Sequence, residues 1–305
     1  MGIREKIIVA VIVLPLAAFT AFTVGAAYYI TRPPRALPVI PRAVVEQKFR
    51  DETTFATAGD VQTKVLPVAL EEIISETCGL AGAELRTAEG RRAICIRLFR
   101  AAGFDPVVTE DGDVLVYKQG RTADTVAAGA HYDKVDGPSA GILDNMVGCI
   151  LVSKIAKALK EEPTNYTYVF LVYGNEETGR KIGSAIRGPG SGRRGRPTYV
   201  IEIDYVGDKD GELGGRWLSP SAGRFLRTGI KINTYPMPEP RKIHTERDDV
   251  SNVDFGRAYL AYKTVISLIE GIESGEGLKP PGTINFWRKD QPLFGQRPTV
   301  SQPAS

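Results

Sequence analysis

The hydrophobic positions from Thr125 onward alternate between two periodicities. Short apolar runs that favour strands are separated by longer segments in which apolar residues recur at helical spacing. The predicted elements are, in order, a strand over Thr125–Ala130, a helix over Ile142–Lys160, a strand over Tyr166–Tyr173, a short helix near Ile182–Arg187 and a strand over Tyr199–Ile203. This alternation predicts an α/β fold with a mixed, mostly parallel sheet sandwiched by helices.

Two helices and a hairpin are predicted before this region. Apolar residues follow helical spacing over Val65–Thr77 and Ala83–Ala102, and Gly103 stands where the second helix would end. Two short strand-like runs follow, Pro106–Thr109 and Val114–Lys118. The Asp-Gly pair between them is typical of a hairpin turn, so we expect these strands to pair.

The first part of the chain carries a long uncharged segment. Residues 7–30 form a run of 24 residues without a charge, with basic residues on both sides. This length is enough for a helix to span a bilayer, so a membrane anchor over residues 1–31 is predicted. A cleaved signal peptide is the alternative, although its apolar region is usually shorter. Because basic residues flank the segment at both ends, the orientation across the membrane stays open.

The rest of the chain divides into a linker, a domain and a tail. Residues 32–61 are rich in proline and polar residues and are interpreted as an extended tether. We expect one globular domain over residues 62–275, which ends in an amphipathic helix over Val253–Ser274. The proline-rich tail, residues 276–305, is expected to be disordered or loosely attached.

The charge balance argues against a nucleic-acid partner. The 39 basic residues are nearly matched by 36 acidic ones, which gives a formal net charge of +3. The segment Arg187–Pro197 is rich in glycine and arginine, but it precedes a predicted strand. It should therefore lie away from the strand ends that carry chemistry, and we interpret it as a solvated loop. The three cysteines form no Cys-x-x-Cys pair, so they predict neither a zinc knuckle nor a redox motif.

Residues that can bind a metal follow three successive predicted strands. His131 follows the first strand, the pair Glu176-Glu177 follows the second and Asp204 follows the third. In open α/β sheets the carboxyl ends of the strands meet at one edge, where ligand sites are built. Asp144 comes thirteen residues after His131, at the start of the next predicted helix. We expect these side chains to lie at the same edge of the sheet.

Each of these residues also has an ordinary structural explanation. A lone histidine after a strand is more often packed or exposed than a ligand, a Glu-Glu pair is usually solvated, and Asp144 at a helix start is typical of an N-cap. The combination favours a site, because unrelated polar residues would not be expected at the same end of three strands. His244, the second of only two histidines, also lies among acidic residues.

Five short motifs occur in a specific order and spacing. They are Gly129-Ala130-His131-Tyr132-Asp133, Asp144-Asn145 with Gly148, Gly174-Asn175-Glu176-Glu177-Thr178-Gly179 with Gly183-Ser184, Ile203-Asp204-Tyr205-Val206-Gly207, and His244-Thr245 with Asp248. Together they resemble peptidase family M28, a family of zinc aminopeptidases, over residues 80–272. The M20 metallopeptidases share a His-x-Asp and a Glu-Glu pair, but the remaining motifs are more similar to M28.

The resemblance implies a zinc-exopeptidase-like fold with two Zn²⁺ ions per chain, bridged by the carboxylate of Asp144. It assigns His131 and Asp204 to one zinc, and Glu177 and His244 to the other. Nitrogen and oxygen ligands without a thiolate suit zinc in a hydrolytic site.

The same resemblance assigns a catalytic role to Glu176. As general base it would take a proton from the zinc-activated water and pass it to the leaving amine. Asp133, two residues after His131, is expected to orient that imidazole, and Asp248 is expected to serve His244 in the same way.

The implied function is removal of N-terminal residues from peptide substrates by a membrane-attached exopeptidase whose catalytic domain lies outside the cytoplasm. Two alternatives stay open: an enzyme similar to glutaminyl cyclases, with one zinc, and a non-catalytic ectodomain. Carboxypeptidase and dipeptidase specificity also stay open, as does the oligomeric state.

Two features depart from the family pattern. His244 comes only 40 positions after Asp204, a short stretch for the substrate-pocket loops that many members carry there. Ile243 stands where some members have a tyrosine that helps to stabilise the oxyanion. The resemblance therefore implies no substrate preference, and zinc alone or another group, such as a nearby tyrosine, would have to stabilise the oxyanion.

Overall fold

The computed structural model describes residues 70–80, 82–186, 197–218, 228–235, 242–279 and 285–287. In these residues, eight strands form one sheet that packs against α-helices. The strands are β1 (Val107–Val108), β2 (Val114–Lys118), β3 (Thr125–His131), β4 (Thr167–Tyr173), β5 (Tyr199–Ile203), β6 (Glu212–Leu218), β7 (Thr228–Tyr235) and β8 (Asn285–Trp287). The helices are α1 (Leu70–Cys78), α2 (Ala88–Ala101), α3 (Val147–Leu159), α4 (Ile182–Ala185) and α5 (Phe255–Glu273).

The sheet has the strand order β1-β2-β4-β3-β5-β7-β6-β8. Its four central strands, β4, β3, β5 and β7, run parallel to one another. On one side, β1 is antiparallel to β2 and β2 is antiparallel to β4; on the other side, β6 is antiparallel to β7. The predicted mixed α/β sheet and the predicted hairpin are confirmed. Every position of β3 and β4 is buried, as expected for strands that are covered on both faces.

Helix α3 connects β3 to β4 and packs on both strands, and it also contacts α1, α2 and α5. The short helix α4 packs closely on alternate side chains of the central strands, among them Ala127 and Leu171. Gly129 lies beneath it, where a Cβ would approach the Ile182 side chain to 3.0 Å and the Leu171 carbonyl oxygen to 2.6 Å. Glycine is therefore needed at this position of β3 for α4 to pack on the sheet.

One predicted helix is shorter than expected at its beginning. The sequence predicts a single helix over Ala83–Ala102, but residues 82–86 form a 3₁₀ turn and α2 begins at Ala88. Thr87 separates the two, because its side chain accepts a hydrogen bond from the backbone N–H of Gly90 (3.0 Å) and so caps α2.

The sequence interpretation missed β6 and β7, which lie between residues 204 and 244. Two adjacent glycines, Gly214 and Gly215, conceal the alternation of apolar residues in β6. β7 does carry a strand signal, because the buried Ile230 and Ile232 alternate with polar residues. Within the described residues, this segment supplies the two strands β6 and β7.

The predictions for the two ends of the chain have different outcomes. β8 pairs in parallel with β6, so the prediction of a loosely attached tail is wrong for Asn285–Trp287. The predicted anchor over residues 1–31 and linker over residues 32–61 lie outside the described residues, as do residues 187–196 of the glycine- and arginine-rich segment. Within the described ranges, no helix has the length and apolar character needed to cross a membrane. The domain boundaries stay predictions.

A buried arginine fixes the segment that follows β3. The Arg91 side chain is buried and donates hydrogen bonds to the carbonyl oxygens of Tyr132, Ala140 (2.7 Å) and Gly141 (2.9 Å). A single guanidinium thus satisfies three backbone acceptors of a non-helical segment in the interior, where unpaired carbonyl groups are costly.

We expect Arg91→Met to lower the free energy of unfolding by about 3 kcal/mol or more, because three buried carbonyl groups lose their donor. Arg97→Met on the same helix is the matched control. Its guanidinium is half exposed and pairs with Glu84, so its loss should cost less than about 1 kcal/mol. Urea unfolding of both variants measures the difference, and equal losses would contradict this role of Arg91.

Candidate metal centre

The carboxyl ends of three adjacent parallel strands form the base of the site. β4, β3 and β5 are neighbours in the sheet. β3 ends at His131, the loop after β4 carries Glu176 and Glu177, and Asp204 directly follows β5. The shared direction of the strands brings the predicted side chains to one edge.

A first set of possible ligands lies where β3 and β5 end. The Nε2 atom of His131 lies 3.1 Å from Oδ1 of Asp144 and 3.2 Å from Oδ1 of Asp204. The His131 side chain is 1% exposed, so this set is deep in the protein. We call His131, Asp144 and Asp204 the inner group.

A second set lies closer to solvent and shares one residue with the first. The Nε2 atom of His244 lies 3.2 Å from Oε1 of Glu177 and 3.3 Å from Oδ2 of Asp144. The His244 side chain is 42% exposed. We call Asp144, Glu177 and His244 the outer group. Asp144 gives one carboxylate oxygen to each group, which is the geometry of a bridging ligand.

The donor atoms fit zinc. Within each group, one possible ligand atom from each residue lies within 4.8 Å of the others. Ligand atoms about 2.0–2.2 Å from a tetrahedral zinc ion are separated by roughly 3.3–3.6 Å. The N···O distances of 3.1–3.3 Å in the two groups are close to that spacing. Imidazole nitrogens and carboxylate oxygens without thiolates are a common zinc donor set.

Asp144 reaches both groups because it does not lie in a regular helix, which corrects the helix predicted over Ile142–Lys160. Asp144 and Asn145 have non-helical backbone angles, the peptide bond between them is cis, and α3 begins only at Val147. The Asn145 side chain donates a hydrogen bond to the Ile203 carbonyl oxygen (2.8 Å) and so ties this segment to the end of β5.

Asp248 does not support His244 as predicted. Its carboxylate accepts hydrogen bonds from the Ser139 hydroxyl (2.9 Å) and from the backbone N–H of Leu143 (2.6 Å). Asp248 therefore holds the segment that carries Asp144. Burial and the nearby charge of Asp144 raise the pKa of Asp248 to about 6.

His244 is held by a buried lysine that the sequence interpretation missed. The ammonium group of Lys242 pairs with Asp208, and both side chains are fully buried. The Tyr205 hydroxyl also donates to Asp208, which follows β5. The backbone N–H of Thr245 donates to the Lys242 carbonyl oxygen (3.2 Å), so the turn at His244 is attached to the same anchor. A lysine two residues before a ligand gives no sequence signal of this role.

Asp133 lies between the first imidazole and the loop after β4. Its carboxylate accepts hydrogen bonds from the backbone N–H groups of Glu176 (3.2 Å) and Glu177 (3.1 Å). It lies 3.4 Å from Nδ1 of His131, which is long for a hydrogen bond. Burial opposes the charged form of Asp133, but the interaction with His131 outweighs it and lowers the pKa of the carboxyl group.

The predicted general base is ion-paired. Oε1 of Glu176 lies 2.5 Å from Nζ of Lys181, and the Glu176 side chain is largely buried. Arg180 also holds this loop, because its guanidinium pairs with the buried Asp113 of the β1-β2 hairpin (2.6 and 2.8 Å). The loop that carries both glutamates is therefore fixed to two neighbouring elements.

A second buried lysine, Lys231 on β7, borders the inner group. Its ammonium group pairs with Oδ2 of Asp204 and lies 3.6 Å from Oε1 of Glu202. Burial opposes the charged forms, but Lys231 lowers the pKa of Asp204, and Asp204 and Glu202 raise the pKa of Lys231. The available signal was a lysine among the apolar residues of a strand, and it was missed because β7 itself was not predicted.

The carboxylates also stabilise the protonated forms of both imidazoles. The hydrogen bond with Asp144 is the main cause that raises the pKa of His244 to about 9. Burial opposes the charged form of His131, but hydrogen bonds with the surrounding carboxylates outweigh it and raise its pKa well above the usual value. A site that favours a proton on each imidazole also favours a cation in its place.

Part of this chain matches a known protein family. Residues 113–213 match the profile of Peptidase family M28. Of the five possible metal ligands, only His244 lies beyond the matched residues. A search of the curated proteins gives no match.

Several solved structures are similar to this chain at low sequence identity. A leucine aminopeptidase precursor from Bacteroides thetaiotaomicron is 13% identical with a TM-score of 0.52, over 68% of this chain and 99% of that chain. A glutaminyl cyclase from the same organism is 13% identical with a TM-score of 0.49, over the same shares. An aminopeptidase from Aneurinibacillus sp. strain AM-1 is 17% identical with a TM-score of 0.43, over 57% of this chain.

This chain spans about half of the Aneurinibacillus enzyme, 51%. At 13% identity, the similarity to the leucine aminopeptidase precursor shows an aminopeptidase-like fold and not a reaction. The family match supports a hydrolase of the metallopeptidase type with zinc as its metal. It also confirms the resemblance to peptidase family M28 that the motifs predicted, over residues 113–213 of this chain.

Proposed function

We propose that this protein is a zinc-dependent exopeptidase of the aminopeptidase type with two zinc ions. The observation that carries the proposal is the Asp144 carboxylate, whose two oxygens face His131 at 3.1 Å and His244 at 3.3 Å. A carboxylate shared between two sets of nitrogen and oxygen donors is the arrangement that a two-metal hydrolytic site requires. His131 and Asp204 would complete one zinc site, and Glu177 and His244 the other.

The chain's own residues would supply the proton transfer. Bound zinc supplies Lewis acidity, which activates a water molecule and polarises the scissile carbonyl group. Glu176 would accept the proton of that water at a carboxylate oxygen and pass it to the leaving amine. Asp133 supports this role, because it binds the backbone N–H groups of both Glu176 and Glu177 and so fixes base and ligand relative to each other.

The sequence left open that a nearby tyrosine stabilises the oxyanion. The two buried tyrosines beside the ligand-bearing strands do not support that role. The Tyr173 hydroxyl donates to Glu202 (2.7 Å), and the Tyr205 hydroxyl donates to Asp208. Both hydroxyl groups are therefore engaged, which favours the metal centre itself as the group that stabilises the oxyanion.

The proposed substrates are peptides with a free N-terminus. Membrane attachment through residues 1–31, with the catalytic domain outside the cytoplasm, is part of the proposal and rests on the sequence alone. A second candidate is a single-zinc activity similar to that of glutaminyl cyclases. It is favoured by Lys231, which places a positive charge against the inner-group ligand Asp204.

Glu176→Gln should lower the rate of hydrolysis of aminoacyl reporter amides by at least about 10²-fold, because general-base catalysis contributes about 10²–10⁴-fold. The zinc content of the variant should be unchanged, since Glu176 belongs to neither ligand group. Glu110→Gln, in the exposed hairpin turn, is the matched control and should keep full activity. Undiminished hydrolysis in a zinc-loaded Glu176→Gln variant would contradict the proposal, and cyclisation of N-terminal glutamine without hydrolysis would support the second candidate.

Zinc affinity at the outer group should rise with pH. A histidine ligand must be neutral, and the pKa of His244 is raised to about 9, so zinc displaces a proton from it at neutral pH. The apparent affinity should increase by about tenfold per pH unit up to about pH 9 and then level off. Competition titrations with a chelator over this range measure the slope.

The matched variant for this experiment is His244→Asn, which has no titrating group at this position. Its zinc affinity should be weaker. The increase of its affinity with pH should also be less steep, because zinc binding releases about one proton fewer. An affinity that does not change between about pH 7 and pH 9, or an equal slope in both proteins, would show that His244 does not bind the metal.

A further inference from the structure

We propose that Lys231 weakens zinc binding at the inner group, so that the outer group binds zinc first and the inner group binds it second and more weakly. The inference rests on the proposed two-zinc centre. It assigns to this chain's own lysine the difference in affinity between the two halves of the centre.

Lys231 and an inner-group metal would share one carboxylate. Oδ1 of Asp204 faces Nε2 of His131 at 3.2 Å, whereas Oδ2 pairs with the ammonium group of Lys231. A divalent cation at the inner group would therefore lie close to a fixed unit positive charge in a buried environment, where electrostatic repulsion is only weakly screened. The ion pair with Lys231 also reduces the negative charge that Asp204 offers to the metal.

Lys231 is buried in this position. Its side chain is 7% exposed, and its neighbours on β7, Ile230 and Ile232, are fully buried within the central part of the sheet. Glu202 lies 3.6 Å from the ammonium group and is itself held by the Tyr173 hydroxyl (2.7 Å). Glu202 therefore offsets part of the lysine charge, but the direct contact of Lys231 is with the metal ligand.

The outer group differs from the inner group in the basic residues that the structure describes around it. Among the residues that the structure describes, no lysine or arginine forms an ion pair with Glu177, and Lys181 pairs instead with Glu176. His244 is also more exposed than His131, so solvent screens charges at the outer group more effectively. The two groups thus have similar donor atoms but different electrostatic surroundings.

Two effects of opposite sign are expected when Lys231 is replaced. A hydrogen bond that orients a metal ligand typically increases metal affinity by about 10–100-fold, and its loss would weaken zinc binding. Removal of the ammonium charge acts the other way, because it leaves Glu202 without its ammonium partner and Asp204 with His131 as its remaining cationic neighbour. We expect the charge effect to dominate, because a cation at the inner group then becomes the partner of both carboxylates.

The test is the stepwise zinc affinity of the full chain, measured by competition with a chromophoric chelator. The natural protein should show two constants that differ by at least about 100-fold. Lys231→Met should strengthen the weaker constant by at least about tenfold and leave the tighter one nearly unchanged. Glu202→Gln should have the opposite effect on the weaker constant, because Lys231 then pairs with Asp204 alone.

Lys154→Met is the matched control. Lys154 is also a buried lysine in an ion pair, with Glu72 and Glu76 of α1, and neither partner is a possible metal ligand. Both zinc constants should be the same as in the natural protein. The thermal unfolding of each variant, measured without zinc, reports any loss of the fold.

Two equal constants in the natural protein, or a weaker inner constant in Lys231→Met, would overturn this inference while the two-zinc proposal stands. Absence of zinc binding from the folded natural protein would overturn both. If Lys231→Met does not fold, the Glu202→Gln variant decides. The inference is overturned if the weaker zinc site of Glu202→Gln binds zinc as tightly as in the natural protein, or more tightly.

Discussion

Asp144 must present its two carboxylate oxygens to two imidazoles, and the surrounding structure is arranged to hold it in that position. The segment around it is not helical, so its backbone groups need partners from elsewhere in the fold. Asp248 binds the N–H of Leu143 before it, and Asn145 binds the end of β5 after it. Arg91 fixes the carbonyl groups of the preceding segment. The position of one carboxylate thus depends on contacts with three other parts of the chain.

Several carboxylates lie at the same edge of the sheet, and buried lysines pair with some of them. Lys242 neutralises Asp208 beneath the turn at His244, and Lys231 pairs with Asp204 beside the inner group. Buried ion pairs of this kind contribute little net stability, because removing both charges from water is costly. Both lysines fix positions at the site, because Lys242 holds the turn that carries His244 and Lys231 holds the Asp204 side chain. The arrangement leaves Asp144 shared between the two groups, with imidazoles as its partners.

Much of the fold and most of the candidate site could be predicted from sequence because both depend on local patterns. Short apolar runs located β3, β4 and β5, and parallel strands bring the residues at their ends together. The bend at Asp144 was not predictable, because apolar spacing continues through it into α3 and only the contacts of Asn145 reveal it. The roles of Asp248, Lys231 and Lys242 depend on contacts between distant residues, which have no periodic signal. The glycines of β6 concealed its strand pattern. Because β7 was not predicted either, no position could be predicted for Lys231.

The central claim is that the Asp144 carboxylate lies between two zinc sites. The most direct measurement is anomalous X-ray diffraction at the zinc absorption edge from crystals of the zinc-loaded protein. The account predicts two peaks, one within bonding distance of His131 Nε2 and the other of His244 Nε2, with an oxygen of Asp144 bound to each. A single peak at the outer group after saturation with zinc would contradict the two-zinc centre, and no peak at Asp144 would contradict the metal site altogether.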